Sequence, residues 1–306
     1  MPLLSICIPT YNRSSYLQKT LESIVSSEVF YNTDQIEIII SDNASPDDTQ
    51  KIAESFVSLF PDKIKYFRNE KNINDANFPL AMSRGCGSFL KLHNDTLSLK
   101  KGALAAILDF LAPLQQEKPL VFFINGNNKT TAESSKYNSA DEFFKHISFH
   151  ATWIGGFGLW KTDFDSLQNY RFKTETKLIQ TDLLFHFAKQ KKSFAVYNRE
   201  IFTIQPILRG KGGYNTAEVF GKNYLGILKE YTSQGVITPK TYRIEKKKVL
   251  IKQIIPMYFD FNGLCSYTKG NYWKFTGEYH KNLYYYLSFF KILKKIIKNK
   301  LKRIKD

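Results

Sequence analysis

Leu3-Leu4-Ser5-Ile6-Cys7-Ile8-Pro9-Thr10-Tyr11-Asn12-Arg13 opens on an apolar run, Leu3 to Ile8, that ends in Pro9-Thr10 and a polar turn. A run this short, bounded by a turn signal, reads as a strand buried on both faces. Immediately after it, Ser14 to Ser27 carries Leu17, Leu21, Ile24 and Val25 at helical spacing, with Ser14 or Ser15 as N-cap. Strand followed directly by amphipathic helix is the opening half of a crossover between parallel strands. The same alternation then repeats down the first 125 residues.

Ile36–Ile40 is a second strand, closed by Ser41-Asp42-Asn43. Pro46 with Asp47 and Asp48 then starts a helix running to about Phe60. A strand over Ile64–Phe67, a helix over about Asp75–Arg84 and a strand over Ser88–Leu92 follow. A helix over Leu104–Leu114 and a strand over Leu120–Ile124 complete the series. Such alternation predicts an open α/β sheet, which binds ligands at the carboxyl ends of its strands. The residues to inspect are therefore Pro9 to Tyr11, Asp42 and Asn94 to Thr96. Gly126 to Phe149 is polar and shows no period. Beyond it come a Gly-rich aromatic segment from Trp153 to Trp160, a helix over Thr181–Lys189 and a strand over Phe194–Tyr197. Gly210-Lys211-Gly212-Gly213 is the strongest breaker of the second half, so the expected division is a catalytic domain over 1–215 and a helical C-terminal region over 216–306.

With 306 residues, 43% hydrophobic and 24% charged, the chain has the composition of a folded globular protein, which excludes disorder for most of its length. Three scattered cysteines make no disulfide framework and read as free thiols in a reducing compartment. The N-terminus lacks a basic region before its short apolar run, and no stretch has the ~18 apolar residues of a membrane span. The expected location is the cytoplasm. The net charge of +16 is concentrated at the end: residues 291–306 hold eight Lys or Arg against one Asp.

The opening Ser5-Ile6-Cys7-Ile8-Pro9-Thr10-Tyr11-Asn12-Arg13 resembles the start of family 2 glycosyltransferases of the GT-A fold. So do Ile38-Ile39-Ile40-Ser41-Asp42-Asn43-Ala44-Ser45-Pro46-Asp47-Asp48-Thr49, Arg68-Asn69-Glu70-Lys71-Asn72 and Arg84-Gly85-Cys86-Gly87-Ser88-Phe89-Leu90-Lys91-Leu92. The four pieces stand in the family's order and spacing over roughly residues 3–100. The resemblance implies a nucleotide-sugar donor, UDP-linked by default, and transfer of its sugar to an acceptor hydroxyl with inversion. It also implies a setting in bacterial surface polysaccharide synthesis, on saccharide or lipid-linked saccharide acceptors. Backbone around Pro9, Thr10 and Tyr11 would meet the base, and Asp42, an acid at a strand end, would accept hydrogen bonds from base or ribose. Without the resemblance, Asp42 is an ordinary turn or capping acid.

The family places an Asp-x-Asp-like cluster after the fourth strand to hold Mn²⁺ or Mg²⁺ on the diphosphate. Here that place reads Leu92-His93-Asn94-Asp95-Thr96, with Asp95 the single carboxylate. Asp95 is the expected metal ligand, Asn94 a helper through its carbonyl. The competing expectation is a turn aspartate in an enzyme that neutralises phosphate with Lys or Arg, and Arg209 and Lys211 around Gly210 are candidates. A general base must take the acceptor's proton. By family position this is Asp182 in Gln180-Thr181-Asp182, with Glu175 in reserve, although an acid there also suits a helix N-terminus. Trp153 with Gly155 resembles the segment lining the acceptor side, where the glycine would permit close ligand approach, while Trp153 and Trp160 are equally at home in a core.

The C-terminal stretch places Phe289, Leu293, Ile296, Ile297, Leu301 and Ile304 near helical spacing among Lys291, Lys294, Lys295, Lys298, Lys302 and Arg303. This pattern reads as an interfacial helix, with residues 288–306 expected on an anionic membrane surface. A basic solvated face is the alternative. Two rival classes remain: a nucleic-acid-binding protein, for which the chain has no recognisable motif, and a GT-A-like binding protein that has lost catalysis.

Overall fold

The computed structural model of the protein describes residues 1–126, 132–205, 215–258, 275–279 and eight positions between 286 and 298. Arg209, Lys211 and most of 288–306 lie outside the described residues. The chain forms two compact units, one of residues 1–175 and 179–206, the other of 176–178 and 207–306.

In the first unit the elements are, in order, β1 (Leu4–Thr10), α1 (Ser14–Val25), α2 (Glu28–Asn32), β2 (Ile36–Asp42), α3 (Thr49–Leu59), β3 (Ile64–Arg68) and α4 (Asn77–Ser83). They continue with β4 (Phe89–Leu92), β5 (Leu97–Leu99), α5 (Ala103–Leu111), β6 (Leu120–Phe123), β7 (Ser134–Tyr137) and α6 (Ala140–Ile147). The last are β8 (Gly158–Trp160), α7 (Lys161–Asp165), α8 (Ile179–Ala188), β9 (Phe194–Tyr197) and β10 (Phe202–Ile204).

The main sheet has the order β3-β2-β1-β4-β8. β1 pairs in parallel with both β2 and β4, β2 pairs in parallel with β3, and only β8 runs antiparallel. Strand order therefore reverses between β1 and β4, and the crevice at the carboxyl ends there is where such sheets place a ligand. β1 and β2 are central strands covered on both faces, which is why Leu4, Ile6, Cys7 and Ile8, and then Ile38, Ile39 and Ile40, form continuous apolar runs rather than alternating ones. α1 buries Leu17, Leu21 and Ile24 against this core, the stripe its spacing predicted.

β6, β9 and β7 form a second sheet, with β9 in the middle, parallel to β6 and antiparallel to β7. Within the polar stretch from 126 to 149, residues 134–147 are largely regular. They hold the exposed edge strand β7 and then α6, whose N-cap Ser139 hydroxyl accepts from the Glu142 amide at 3.4 Å. Ser139-x-x-Glu142 ahead of Phe143, Phe144 and Ile147 is a capping-box pattern that local reading had available.

The second unit is helical. A wide-turned stretch Ala217–Tyr224 leads into α9 (Leu225–Ser233), followed by α10 (Pro239–Val249), a second wide turn Leu250–Ile254 and α11 (Ile255–Tyr258). Thr238 caps α10 by accepting from the Thr241 amide at 3.1 Å. Phe220, Tyr224, Leu228, Tyr231, Ile237, Val249, Leu250, Ile254 and Tyr279 are buried. No helix among the described residues is long and apolar enough to cross a membrane.

Candidate active site

Three of the expected positions meet at the carboxyl edge of the main sheet. β1 ends at Thr10, whose hydroxyl donates to Asp95 Oδ2 at 2.9 Å. Arg13, where the chain turns into α1, donates through Nη1 to Asp95 Oδ1 at 2.9 Å. The Asp95 side chain is 3% exposed and that of Arg13 25%. Burial pushes the Asp95 carboxyl above its usual range, and the Arg13 charge and hydrogen bond and the Thr10 hydroxyl oppose that shift.

Asp95 is also held through its backbone: its carbonyl accepts from the Thr20 hydroxyl of α1 at 2.8 Å, and Gln205 Nε2 donates to that hydroxyl at 3.1 Å. The turn bearing Arg13 is clamped from the β2 side. Asn12, at φ 53°, donates its amide to Ser45 Oγ, and the Ser14 amide donates to Asp47 Oδ2. Tyr11 beside it is 43% exposed.

Asp42 ends β2 and is fully buried. Its Oδ1 accepts from the Ser45 amide at 2.9 Å, the turn role open to any such aspartate. Its Oδ2 accepts from the Tyr66 hydroxyl at 2.7 Å and from Arg68 Nη1 at 2.8 Å. Burial, and then the Asp42 carboxylate, raise the Tyr66 hydroxyl above its usual pKa, so it stays protonated and donating. Arg68 is 38% exposed, so at this corner the solvent-facing polar group is the guanidinium and the carboxylate lies behind it. Arg84 adds a second cation nearby: its Nη1 donates to Ser41 Oγ at 2.6 Å and its Nη2 to Asn69 Oδ1 at 3.0 Å.

The chemistry around Asp95 decides whether a divalent cation fits. Both Asp95 oxygens are engaged, one by a cation. His93 is sealed in the core with Nε2 on the Leu97 carbonyl at 2.9 Å, and burial pushes its pKa down to about 3. The Asn94 carbonyl oxygen is buried without a partner, one neutral ligand atom. Among the described residues no three of His, Cys, Asp and Glu come together as a ligand set. A +2 ion on Asp95 would sit against the Arg13 guanidinium with no second carboxylate to offset the repulsion. The donor set does not fit a protein-held divalent cation.

Asp182 lies in the first turn of α8, buried to 1%. Its Oδ2 accepts from the Tyr170 hydroxyl at 2.5 Å and its Oδ1 from Lys173 Nζ at 3.0 Å. Lys173 is 30% exposed, so the carboxylate lies behind a side chain with one end in water. Glu175 sits in a short helical turn before α8. Trp153 packs on the core with its ring edge-on to Phe202 at 5.8 Å. A methyl group at Gly155 would fall 2.5 Å from Leu97 and 2.7 Å from the Trp153 ring. The absent Cβ at Gly155 leaves room for these two neighbouring side chains.

Residues 5–85 match the Glycosyl transferase family 2 description. Over that stretch the chain is similar to glycosyltransferase family 2. The chain is 40% identical over 110 residues to abequosyltransferase RfbV of Salmonella typhimurium, covering 36% of the chain and 32% of that protein. It is 33% identical over 110 residues to GalNAc(5)-diNAcBac-PP-undecaprenol beta-1,3-glucosyltransferase of Campylobacter jejuni, covering 35% and 34%. The chain spans about a third of the length of either relative. Among solved structures, residues 1–349 of S. aureus TarS in complex with UDP-GlcNAc superpose with TM-score 0.60 at 12% identity, over 94% of this chain and 78% of that one. Mannosyltransferase PcManGT of Pyrobaculum calidifontis, in complex with GDP-Man and Mn²⁺, gives 0.58 at 13% identity, over 83% and 71%. The fold is of the GT-A type.

Arg13, Tyr66, Arg68 and Arg84 were not singled out from the sequence, although all but Tyr66 stand in the quoted motifs. Their charge was legible there. Their carboxylate and amide partners were not.

Proposed function

We propose that the protein moves a sugar from a nucleotide-diphosphate donor to an acceptor hydroxyl, with inversion, in the synthesis of a bacterial surface polysaccharide. The observation that carries this reading is the pair of buried acids, Asp42 and Asp95, at the carboxyl edge of β2 and just after β4, on either side of β1 in a family 2 sheet. The complexes of TarS with UDP-GlcNAc and of PcManGT with GDP-Man support the donor class. A UDP-sugar is the default donor.

In this reading Pro9, Thr10 and Tyr11 border the nucleotide, and Asp42 orients Arg68 toward the base and ribose. Asp182 is the general base. It reaches the acceptor hydroxyl when the part-exposed Lys173 swings aside, and Tyr170 then keeps the carboxylate aimed. Trp153 borders the acceptor. Arg209 and Lys211 remain proposed contacts to the phosphates. The Asp95 oxygens that would hold the expected Mn²⁺ or Mg²⁺ are engaged by Arg13 and Thr10.

The test is a thermal-shift screen of UDP, GDP, CDP and dTDP. A nucleotide present at about 100 times its Kd adds roughly 2.7 kcal/mol of stability. One nucleotide should raise the melting temperature by several degrees. A flat response to all four would sink the transferase reading.

The acceptor proposed is a saccharide carried on lipid, with the protein peripheral on the inner face of the cell membrane. The undecaprenol-linked substrate in the name of the C. jejuni relative supports this. So do the described positions of the C-terminal segment, where Leu287, Phe290 and Ile297 are 55%, 64% and 48% exposed and Lys291, Lys294 and Lys298 are exposed beside them. Each basic residue near an anionic surface contributes about 1 kcal/mol. Deleting residues 288–306 should release the protein from phosphatidylglycerol-containing liposomes in a sedimentation assay, and undiminished sedimentation would refute the tail as anchor.

A further inference from the structure

Arg13 is paired with Asp95, the carboxylate expected to hold a metal ion, and its surroundings fix it there. Its turn is held on both sides, by Asn12 on Ser45 and by Ser14 on Asp47. Its guanidinium is aimed by Asp95, whose carboxylate is in turn fixed by Thr10 and whose backbone is fixed by Thr20. The carboxylate is 3% exposed and the guanidinium 25%, so the positive end of the pair is the one that reaches solvent at the switch point between β1 and β4. A guanidinium carries five N–H donors in a planar fork and can serve a carboxylate and a phosphate together.

The geometry points to Arg13 as the resident cation of the donor site. It binds the diphosphate of the nucleotide sugar directly, with Asp95 as its positioning counter-ion and not as a metal ligand. The inference rests on the transferase reading above and specifies how that site neutralises the donor's charge. Charge balance supports it. The Arg13–Asp95 pair is neutral before the ligand arrives, so the incoming anion meets an oriented donor with no net repulsion. A lone Asp95 would repel a diphosphate, and a metal would have to displace Arg13 before taking its place. Preorganised donors aimed at phosphate oxygens also stabilise the charge that grows on the leaving diphosphate during transfer.

The test is calorimetric titration of the full chain with UDP, GDP, CDP and dTDP, each in EDTA and again in millimolar Mn²⁺. The expected result is that one diphosphate binds in EDTA with a Kd that Mn²⁺ changes by less than about threefold. Arg13→Gln should weaken that diphosphate at least tenfold while changing the corresponding monophosphate by less than threefold. Arg13→Lys should recover only part of the loss, since lysine keeps the charge and loses the fork. Binding that appears only with Mn²⁺ would overturn the role of Arg13 and leave the transferase reading intact. Equal weakening of mono- and diphosphate by Arg13→Gln would overturn it as well, marking a structural residue. Binding of no nucleotide in either buffer would overturn the transferase reading and this inference with it. The titrations of the unaltered protein decide the metal question even if both variants fail to fold.

Discussion

Asp182→Asn is expected to lower sugar transfer by about 10²–10⁴-fold, the range for loss of a general base. Asparagine fills the same space and keeps an oxygen that can accept from Tyr170 or Lys173. It cannot take a proton from an acceptor hydroxyl. Lys173 is already part-exposed and can turn to water when its partner's charge is removed, so the fold should survive with a shift of a few degrees in melting temperature. Donor affinity should stay within about twofold, because this pair lies at the head of α8 and not at the carboxyl edge of β1 and β2. The measurement is transfer of labelled sugar to acceptor under saturating donor, alongside nucleotide titration. Transfer within threefold of the unaltered protein would remove Asp182 from the chemistry, and Glu175→Gln in parallel shows whether the reserve acid takes the role instead.

The largest effect on stability is expected at the opposite edge of the sheet. Glu37, on β2, is 4% exposed and gathers four donors. Its Oε1 accepts from Ser5 Oγ at 2.6 Å, from the Cys86 amide at 2.5 Å and from the Gly87 amide at 3.1 Å, and its Oε2 from Lys65 Nζ at 3.0 Å. One side chain thereby ties β1, β2, β3 and the turn entering β4. Glu37→Ala leaves buried donors unmet at about 1–3 kcal/mol each, of which relaxation recovers part. A loss of about 3 kcal/mol, roughly 6–12 °C in melting temperature, is expected.

The pH dependence has a definite sign. Burial pushes the Glu37 carboxyl up, but the Ser5 hydroxyl, the Cys86 amide and Lys65 together outweigh it, so its folded pKa lies below the usual 4.5. A lowered acid contributes stability that is complete above its unfolded pKa and is lost as pH falls through the folded value. Urea titrations from pH 7 downward should therefore show the unaltered protein losing, below about pH 4.5, a component that Glu37→Gln lacks. Parallel curves for the two proteins would show that the cluster contributes nothing through its charge.

Several elements were legible because their signals are local. The apolar runs of β1 and β2, the i, i+4, i+7 stripe of α1 and the strand at 194–197 are each written within a dozen residues. The resemblance over residues 3–100 coincides with the stretch whose order can be read without knowing any distant partner. Helix ends were less exact: α3 begins at Thr49 and not at Pro46, because residues 43–48 are occupied by the turn that Asp42 and Asp47 organise. β7 escaped because an exposed edge strand of alternating Ser, Lys and Tyr carries no apolar signature.

By itself the sequence determined that parallel strands and crossover helices make up the first part of the chain, that Asp42 and Asp95 end up at strand ends, and that positive charge accumulates at the terminus. Side-chain period and turn chemistry act over a few residues and suffice for that. Only the tertiary structure decided that Arg13 meets Asp95 across 82 residues, and that Tyr66 and Arg68 occupy the Asp42 carboxylate. It also placed β9 between β6 and β7 and filled the space beside Gly155 with Leu97 and Trp153. The reason is physical. Periodicity states which way a side chain faces, whereas the partner it meets is set by the crossovers that bring distant strand ends together, and a buried carboxylate takes whichever donors that edge supplies.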